Sequence, residues 1–406
     1  MTLTEQALQP SLDVLSEDFA ADPYPSYERF REEEPLYCDS RFGWIVSRFD
    51  DVTTVLSDPR CSTETYAAVE PLMGRTLLRM EGSEHARHRQ MIAPFFKRDA
   101  VTARAVPLIR NIVGELVCSL QDEPAPDLVA GYAAQIPITT ISRLLGLPED
   151  GRPRFQAWYQ AAAASTSNYA ADPEVYETAV RTAGVLRDYL MPLIADRRTH
   201  PGDDLISAMC GATPGDGEAP LTDVEIANFS LLLLAAGGET TEKALTATLR
   251  NLLDYPHQRK MVVDGAVSVE DAIAESLRFR PPTHVVARLT TADVPLSIGT
   301  LPANVVVLCL IAAANRDPRR FSAPMRFDIT RVRAELDPVW TNGAGHASFG
   351  SGRHFCAGSL LARAELEIAV TEILKAAPEI RYVDGFEPRE SGLVTRGATA
   401  LRVVGL

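Results

Sequence analysis

The chain has 406 residues, 46% of them hydrophobic and 23% charged, and carries a formal net charge of −14. Such a length and composition permit a large buried core. The negative charge argues against nucleic acid and anionic membrane surfaces as general partners. Residues 1–28 contain no Lys or Arg, so no basic targeting start is expected and the expected location is cytoplasmic.

In chain order, the first clear element is the short run Gly43–Val46, which reads as a strand. Next comes a cationic cluster, Glu84-His85-Ala86-Arg87-His88-Arg89. In an acidic protein it suggests an anion site, although a solvated helix face is the plainer reading. From about Ala100 to Pro256 the apolar spacing is helical, interrupted by loops at Asp122–Pro126 and Pro201–Pro220. One helix in this region stands out. Thr222 can cap it, Glu225 completes a capping box, and the pattern runs to Asp254 before Pro256 stops it. Its stretch Phe229–Gly238 has almost no polar side chain, which places it in the core. Gly237 and Gly238 then sit mid-helix, where glycine costs about 1 kcal/mol each against alanine. The pair predicts a bend or a close approach by something flat. Glu239, Thr240 and Thr241 follow directly, and polar groups on a buried helix need partners or a task.

Further on, Ser268 caps a helix carrying Glu275 and Arg278, ended by Pro281-Pro282. An i,i+3 pair shares one face, and taken alone it reads as a weak surface ion pair. Val294–Ile298 and Val305–Leu310 read as strands. Val305–Ala314 is the longest plainly apolar run and is too short to span a bilayer. The picture is mainly helical, with a minor β region.

Of the six cysteines, Cys38, Cys61, Cys118, Cys210 and Cys309 read as buried free thiols. Cys356 differs. It lies in Phe349-Gly350-Ser351-Gly352-Arg353-His354-Phe355-Cys356-Ala357-Gly358, just before an amphipathic pattern that starts near Leu360. A thiol on a tight loop at a helix N-terminus is favoured as thiolate, ready to act as nucleophile or metal ligand.

This segment resembles the haem-binding loop of the cytochrome P-450 superfamily, Phe-Gly-x-Gly-x-His/Arg-x-Cys-x-Gly, at every fixed position. The resemblance implies the fold of that family: one mainly helical domain over residues 1–406, with a long central helix over the haem and no fused reductase. It implies haem b as cofactor with Cys356 as the iron ligand, thiolate donation favouring O–O cleavage. The glycines, Gly350 among them, would let the backbone approach the porphyrin and aim N–H groups at the sulfur. Phe349 would shield the sulfur side of the ring. His354, His85, Arg89 and Arg288 would bind the haem propionates. Ala236-Gly237-Gly238-Glu239-Thr240-Thr241 resembles the family's oxygen-activation segment. Thr240 would then hydrogen-bond dioxygen or an adjacent water, and Glu239 would feed protons. Gly238 stands where bacterial members often have His, which would leave extra room or water at the site. Glu275, Arg278 and Arg326 would form a structural triad.

What the resemblance implies is a haem-thiolate monooxygenase. It would use O2 and electrons from a ferredoxin, itself reduced by a ferredoxin reductase, and act as a monomer. The substrate would be a small, largely apolar organic molecule, an intermediate of secondary metabolism. A docking patch for the ferredoxin would draw on Arg87, Lys97, Arg98, Arg104, Arg353 and Arg363. The substrate pocket would draw on Ser62–Met80, Phe155–Tyr189, Leu232, Leu233, Ala236, the strand start Thr283–Val286 and a turn near Leu393 and Val394. Trp158, Tyr159, Tyr169, Met73 and Met80 are either pocket walls or ordinary core or surface. A peroxide-driven haem-thiolate peroxygenase and a non-catalytic haem sensor are the alternatives, and the Glu239-Thr240 pair speaks against both.

Overall fold

The computed structural model describes residues 16–148, 151–166, 172–212, 219–331, 335–336, 339–342 and 345–406. The fold is built on the helix Asp223–Asp254, which is 32 residues long and capped as its sequence dictates. Glu225 N–H donates to Thr222 Oγ1, and Thr222 N–H donates to Glu225 Oε2. The helix runs unbroken through Gly237 and Gly238, and the expected flat neighbour is present. A Cβ on Gly238 would lie 2.6 Å from Cε2 of the Tyr159 ring.

Helices Gln135–Leu144, Arg152–Thr166, Pro173–Thr199 and Ser359–Ala376 pack around this axis. Their apolar faces merge into one core that includes Phe155, Trp158, Leu186, Phe229, Leu234, Leu249 and Leu366. A smaller cluster, with Phe19, Tyr27, Phe30 and Ile45, lies beside the sheet.

The main sheet has five strands in the order Leu36–Asp39, Gly43–Val46, Val306–Leu310, Val285–Thr290 and Cys61–Ser62. The first two form an antiparallel hairpin, and Gly43–Val46 runs parallel to Val306–Leu310. The expected strand at Val294 appears as Val294–Leu296, paired with Gly299–Leu301. The apolar run ending at Ala314 is a strand that continues into the buried short helix Ile311–Ala314. Among the described residues, no helix is long and apolar enough to cross a membrane.

The Glu275–Arg278 pair is not on the surface. Both side chains are fully buried in the helix Val269–Phe279. Arg278 Nε and Nη2 each donate to the Glu275 carboxylate at 2.7 Å. The remaining Arg278 donors meet the carbonyls of Asn315, Pro324 and Arg326. The third arginine of the expected triad is corrected here. Arg326 is exposed and contributes its carbonyl, whereas the buried Arg331 places Nε 3.3 Å from Glu275.

Candidate functional site

The Cys356 loop is shaped by backbone. Gly350 and Gly352 adopt φ of 73° and 70°, a region that favours glycine. Gly352 also presses on the helix Phe49–Ser57, where an added Cβ would sit 2.8 Å from Ser57 Cα. Gly350 N–H donates to Ala347 O, and Cys356 N–H donates to Phe349 O at 3.0 Å. The helix Ser359–Ala376 starts directly after Gly358. Cys356 is exposed. Crowding by protein still pushes its thiol upward, while the Gly358 N–H, the Arg89 guanidinium and the Ser359 N–H pull it back. A bound cation would complete the shift to thiolate, since metal ligation requires the deprotonated sulfur. Phe349 sits in an aromatic group with Trp340, His346 and Phe355, at centroid separations of 5.4, 5.9 and 6.3 Å.

Four cationic or donor side chains gather near this loop from three separate elements. His85 and Arg89 come from the helix Gly82–Ile92, Arg288 from the strand Val285–Thr290, and His354 from the loop itself. The His85 and His354 rings lie 4.4 Å apart. Burial, then the neighbouring His85 and Arg288, hold the His354 imidazole down at about 4. Burial and Arg89 likewise lower His85. Arg89 Nη2 donates to Phe355 O at 2.8 Å, which ties that helix to the cysteine loop. Among the described residues, the Nε of the buried Arg288 has no hydrogen-bond partner, and neither has His354 Nε2, which lies 3.9 Å from Glu81 Oε1. Buried donors are normally paired. Two orphaned donors within a crowd of cationic groups therefore fit an anionic group such as the two carboxylates of haem b. His88 and Arg87, from the same cluster, instead turn to Glu225 on the long helix.

On the long helix, Ala236 is exposed and Gly237 is half-buried. Thr240 Oγ1 donates to Ala236 O at 2.8 Å. Glu239 is paired with Lys243, one turn along, and accepts from Thr395 Oγ1 at 2.6 Å. The expectation of free space at Gly238 is corrected, because Tyr159 fills it and donates to Glu242 Oε2 at 2.9 Å. Burial raises the Glu242 carboxyl, against the pull of Tyr159 and Lys243.

Of the residues offered as pocket walls, Met73, Met80 and Trp158 are core. Tyr169 lies outside the described residues, as does part of Pro201–Pro220. Four of the six expected patch cations are already paired within the chain: Arg87 with Glu225, Arg104 with Asp203, Arg353 with Glu81, and Arg363 with Glu270 and Glu367. Lys97 and Arg98 are exposed. Sequence reading missed Lys243, Tyr159 as the partner of Gly238, and Thr395. Only the first left a signal, the four-residue spacing from Glu239.

A family model described as Cytochrome P-450 matches residues 268–376. Pulcherriminic acid synthase of Bacillus subtilis (strain 168) is 32% identical over 96% of both chains. Cytochrome P-450 monooxygenase PikC of Streptomyces venezuelae is 35% identical over 92% of this chain and 89% of its own. The chain belongs to the cytochrome P-450 family. Among solved members, ligand-free cytochrome P-450 TbtJ1 aligns with a TM-score of 0.85 at 32% identity, covering 98% of this chain and 100% of that one. CYP109E1 of Bacillus megaterium, solved with corticosterone, aligns with a TM-score of 0.83 at 28% identity, covering 95% and 98%. Members of the P-450 family bind haem b, and the expected haem-dependent monooxygenase class stands. The residues of this P-450 fit that cofactor: one thiol at a helix N-terminus, glycines around it, and orphaned donors beside it.

Proposed function

We propose that this P-450 oxidises a small, largely apolar intermediate of secondary metabolism, by hydroxylation or epoxidation. The haem supplies oxygen activation with electrons from outside the chain. The observation that carries the reading is the Cys356 loop, with its backbone N–H groups at the thiol and its buried donors left for an anionic partner.

In this reading Cys356 is the axial ligand. His85, Arg89, Arg288 and His354 hold the propionates, Phe349 and Gly350 shape the sulfur side, and Glu239 and Thr240 handle protons. Thr240 already has its hydroxyl engaged with Ala236 O, so it is placed to exchange that bond for one to a water or to dioxygen. Glu239, largely withdrawn from solvent, connects the interior with Lys243 and Thr395. The domain spans residues 1–406, acts as a monomer in the cytoplasm, and takes electrons from a ferredoxin and its reductase. Docking centres on the exposed Lys97 and Arg98. Named relatives with secondary-metabolite substrates, 6-deoxyerythronolide B hydroxylase and nocardicin C N-oxygenase, support the substrate class.

The test is the absorption spectrum of the reduced, carbon monoxide-treated protein. A strongly red-shifted Soret band that is lost in Cys356→Ala supports thiolate ligation. An unshifted band, or a folded protein that never takes up haem, overturns it. Charge reversal at Lys97 and Arg98 should slow reduction by ferredoxin and flatten its salt dependence.

A further inference from the structure

Glu239 and Thr240 are adjacent in sequence, yet their side chains are committed in different directions. Successive helix residues point about 100° apart. The Thr240 hydroxyl donates back to Ala236 O within the helix. Glu239 Oε1 accepts from Lys243 Nζ and from Thr395 Oγ1. Lys243 Nζ also donates to Thr395 Oγ1 at 3.0 Å and to Thr395 O at 3.3 Å. The three side chains form a closed triangle across 152 to 156 residues of sequence.

The triangle is built into the fold. The Glu239 and Lys243 side chains are only 13% and 16% exposed, so their attraction is not screened away as at an open surface. Room for the Lys243 stem is made by Gly397, where an added Cβ would lie 2.7 Å from Lys243 Cγ. Thr395 is itself anchored. It forms a bridge with Thr283, and the adjoining Val394 O accepts from His284 N–H at 2.8 Å. A fixed turn and a fixed lysine therefore hold a carboxylate that a lone helix residue would leave free to rotate.

We infer that Lys243 and Thr395 are positioning residues for Glu239, which hold its carboxylate in one orientation and tie it to the turn carrying Leu393 and Val394. The inference rests on the reading of Glu239 as the group that feeds protons. Lys243 keeps a countercharge on the acid. Thr395 fixes which oxygen faces the turn.

The test uses the haem-loaded enzyme, NADPH, a ferredoxin with its reductase, and dioxygen as the probe, with no organic substrate added. Dioxygen taking two electrons and two protons leaves as hydrogen peroxide. Taking four of each, it leaves as two waters. A well-placed proton donor favours water. Lys243→Met and Thr395→Val should raise the share of oxygen released as peroxide by roughly threefold or more. Thr395→Ser, which keeps the hydroxyl, should bring it back down. Crystal structures of Lys243→Met and Thr395→Val should show the Glu239 carboxylate turned away from residue 395. A retained red-shifted carbon monoxide band checks that each variant is folded and loaded. If both variants keep the parental peroxide share and Glu239 orientation while Glu239→Gln raises the share, the positioning role is overturned. If Glu239→Gln also changes nothing, the proton-feeding role itself is overturned.

Discussion

At Gly238 two opposing effects can be weighed. Replacing a mid-helix glycine by alanine gains about 1 kcal/mol of helix propensity. Here the new methyl would meet the Tyr159 ring at 2.6 Å, closer than side chains tolerate. The ring cannot simply swing aside, because its hydroxyl is bonded to the half-buried Glu242. Overpacking of this kind costs about 1–3 kcal/mol. Gly238→Ala should therefore destabilise the protein, yet stabilise it by about 1 kcal/mol in a Tyr159→Ala background. Urea midpoints of the four proteins in this cycle decide the matter. Equal effects in both backgrounds would show that Tyr159 does not set the requirement for glycine.

Single elements show why some features were legible in the sequence and others were not. The long helix was legible because its cap, its apolar middle and its stop at Pro256 are all local signals. The cysteine loop was legible for the same reason, its glycines and thiol lying within ten residues. Of the strand Val285–Thr290 only the start, within Thr283–Val286, was legible, because Arg288 interrupts its apolar run, and what stabilises it is pairing with Val306–Leu310. Likewise, i,i+3 spacing showed that Glu275 and Arg278 share a face, but nothing local shows that the face is buried. The third arginine was misplaced, because proximity to Glu275 depends on how residues 321–331 fold back. These assignments predict different costs. Glu275→Gln leaves Arg278 and Arg331 as buried charges with a neutral partner, which costs about 3–5 kcal/mol. Arg326→Ala removes an exposed side chain and should stay within about 0.5 kcal/mol. Chemical denaturation of the two variants, read alongside haem content, separates them. A larger loss at Arg326 would restore the original triad.

Over the whole molecule, buried titratable groups set opposite limits on stability. His346 is held at about 4, against an ordinary 6.5, by burial and by the Arg278 charge. His284 is lowered in the same direction by burial, then by Arg396 and Arg316. In both cases the unfolded chain binds the proton more readily, so stability falls as pH drops below 6.5, and for His346 the loss runs on toward about 4. Glu365, on the helix that follows the cysteine loop, has the reverse sign. Burial raises it from 4.5 to about 8, with Thr140 opposing. Here the folded chain holds the proton more tightly, so its contribution is full below 4.5 and is lost as pH rises toward about 8. Glu365→Gln mimics the neutral carboxyl and removes that dependence. The stability of the parent relative to Glu365→Gln should therefore decline steadily between 4.5 and about 8, then level off. Urea midpoints of the two proteins across that range provide the measurement. A constant difference would mean that Glu365 is already ionised in the folded protein, and that its charge has a partner in the core.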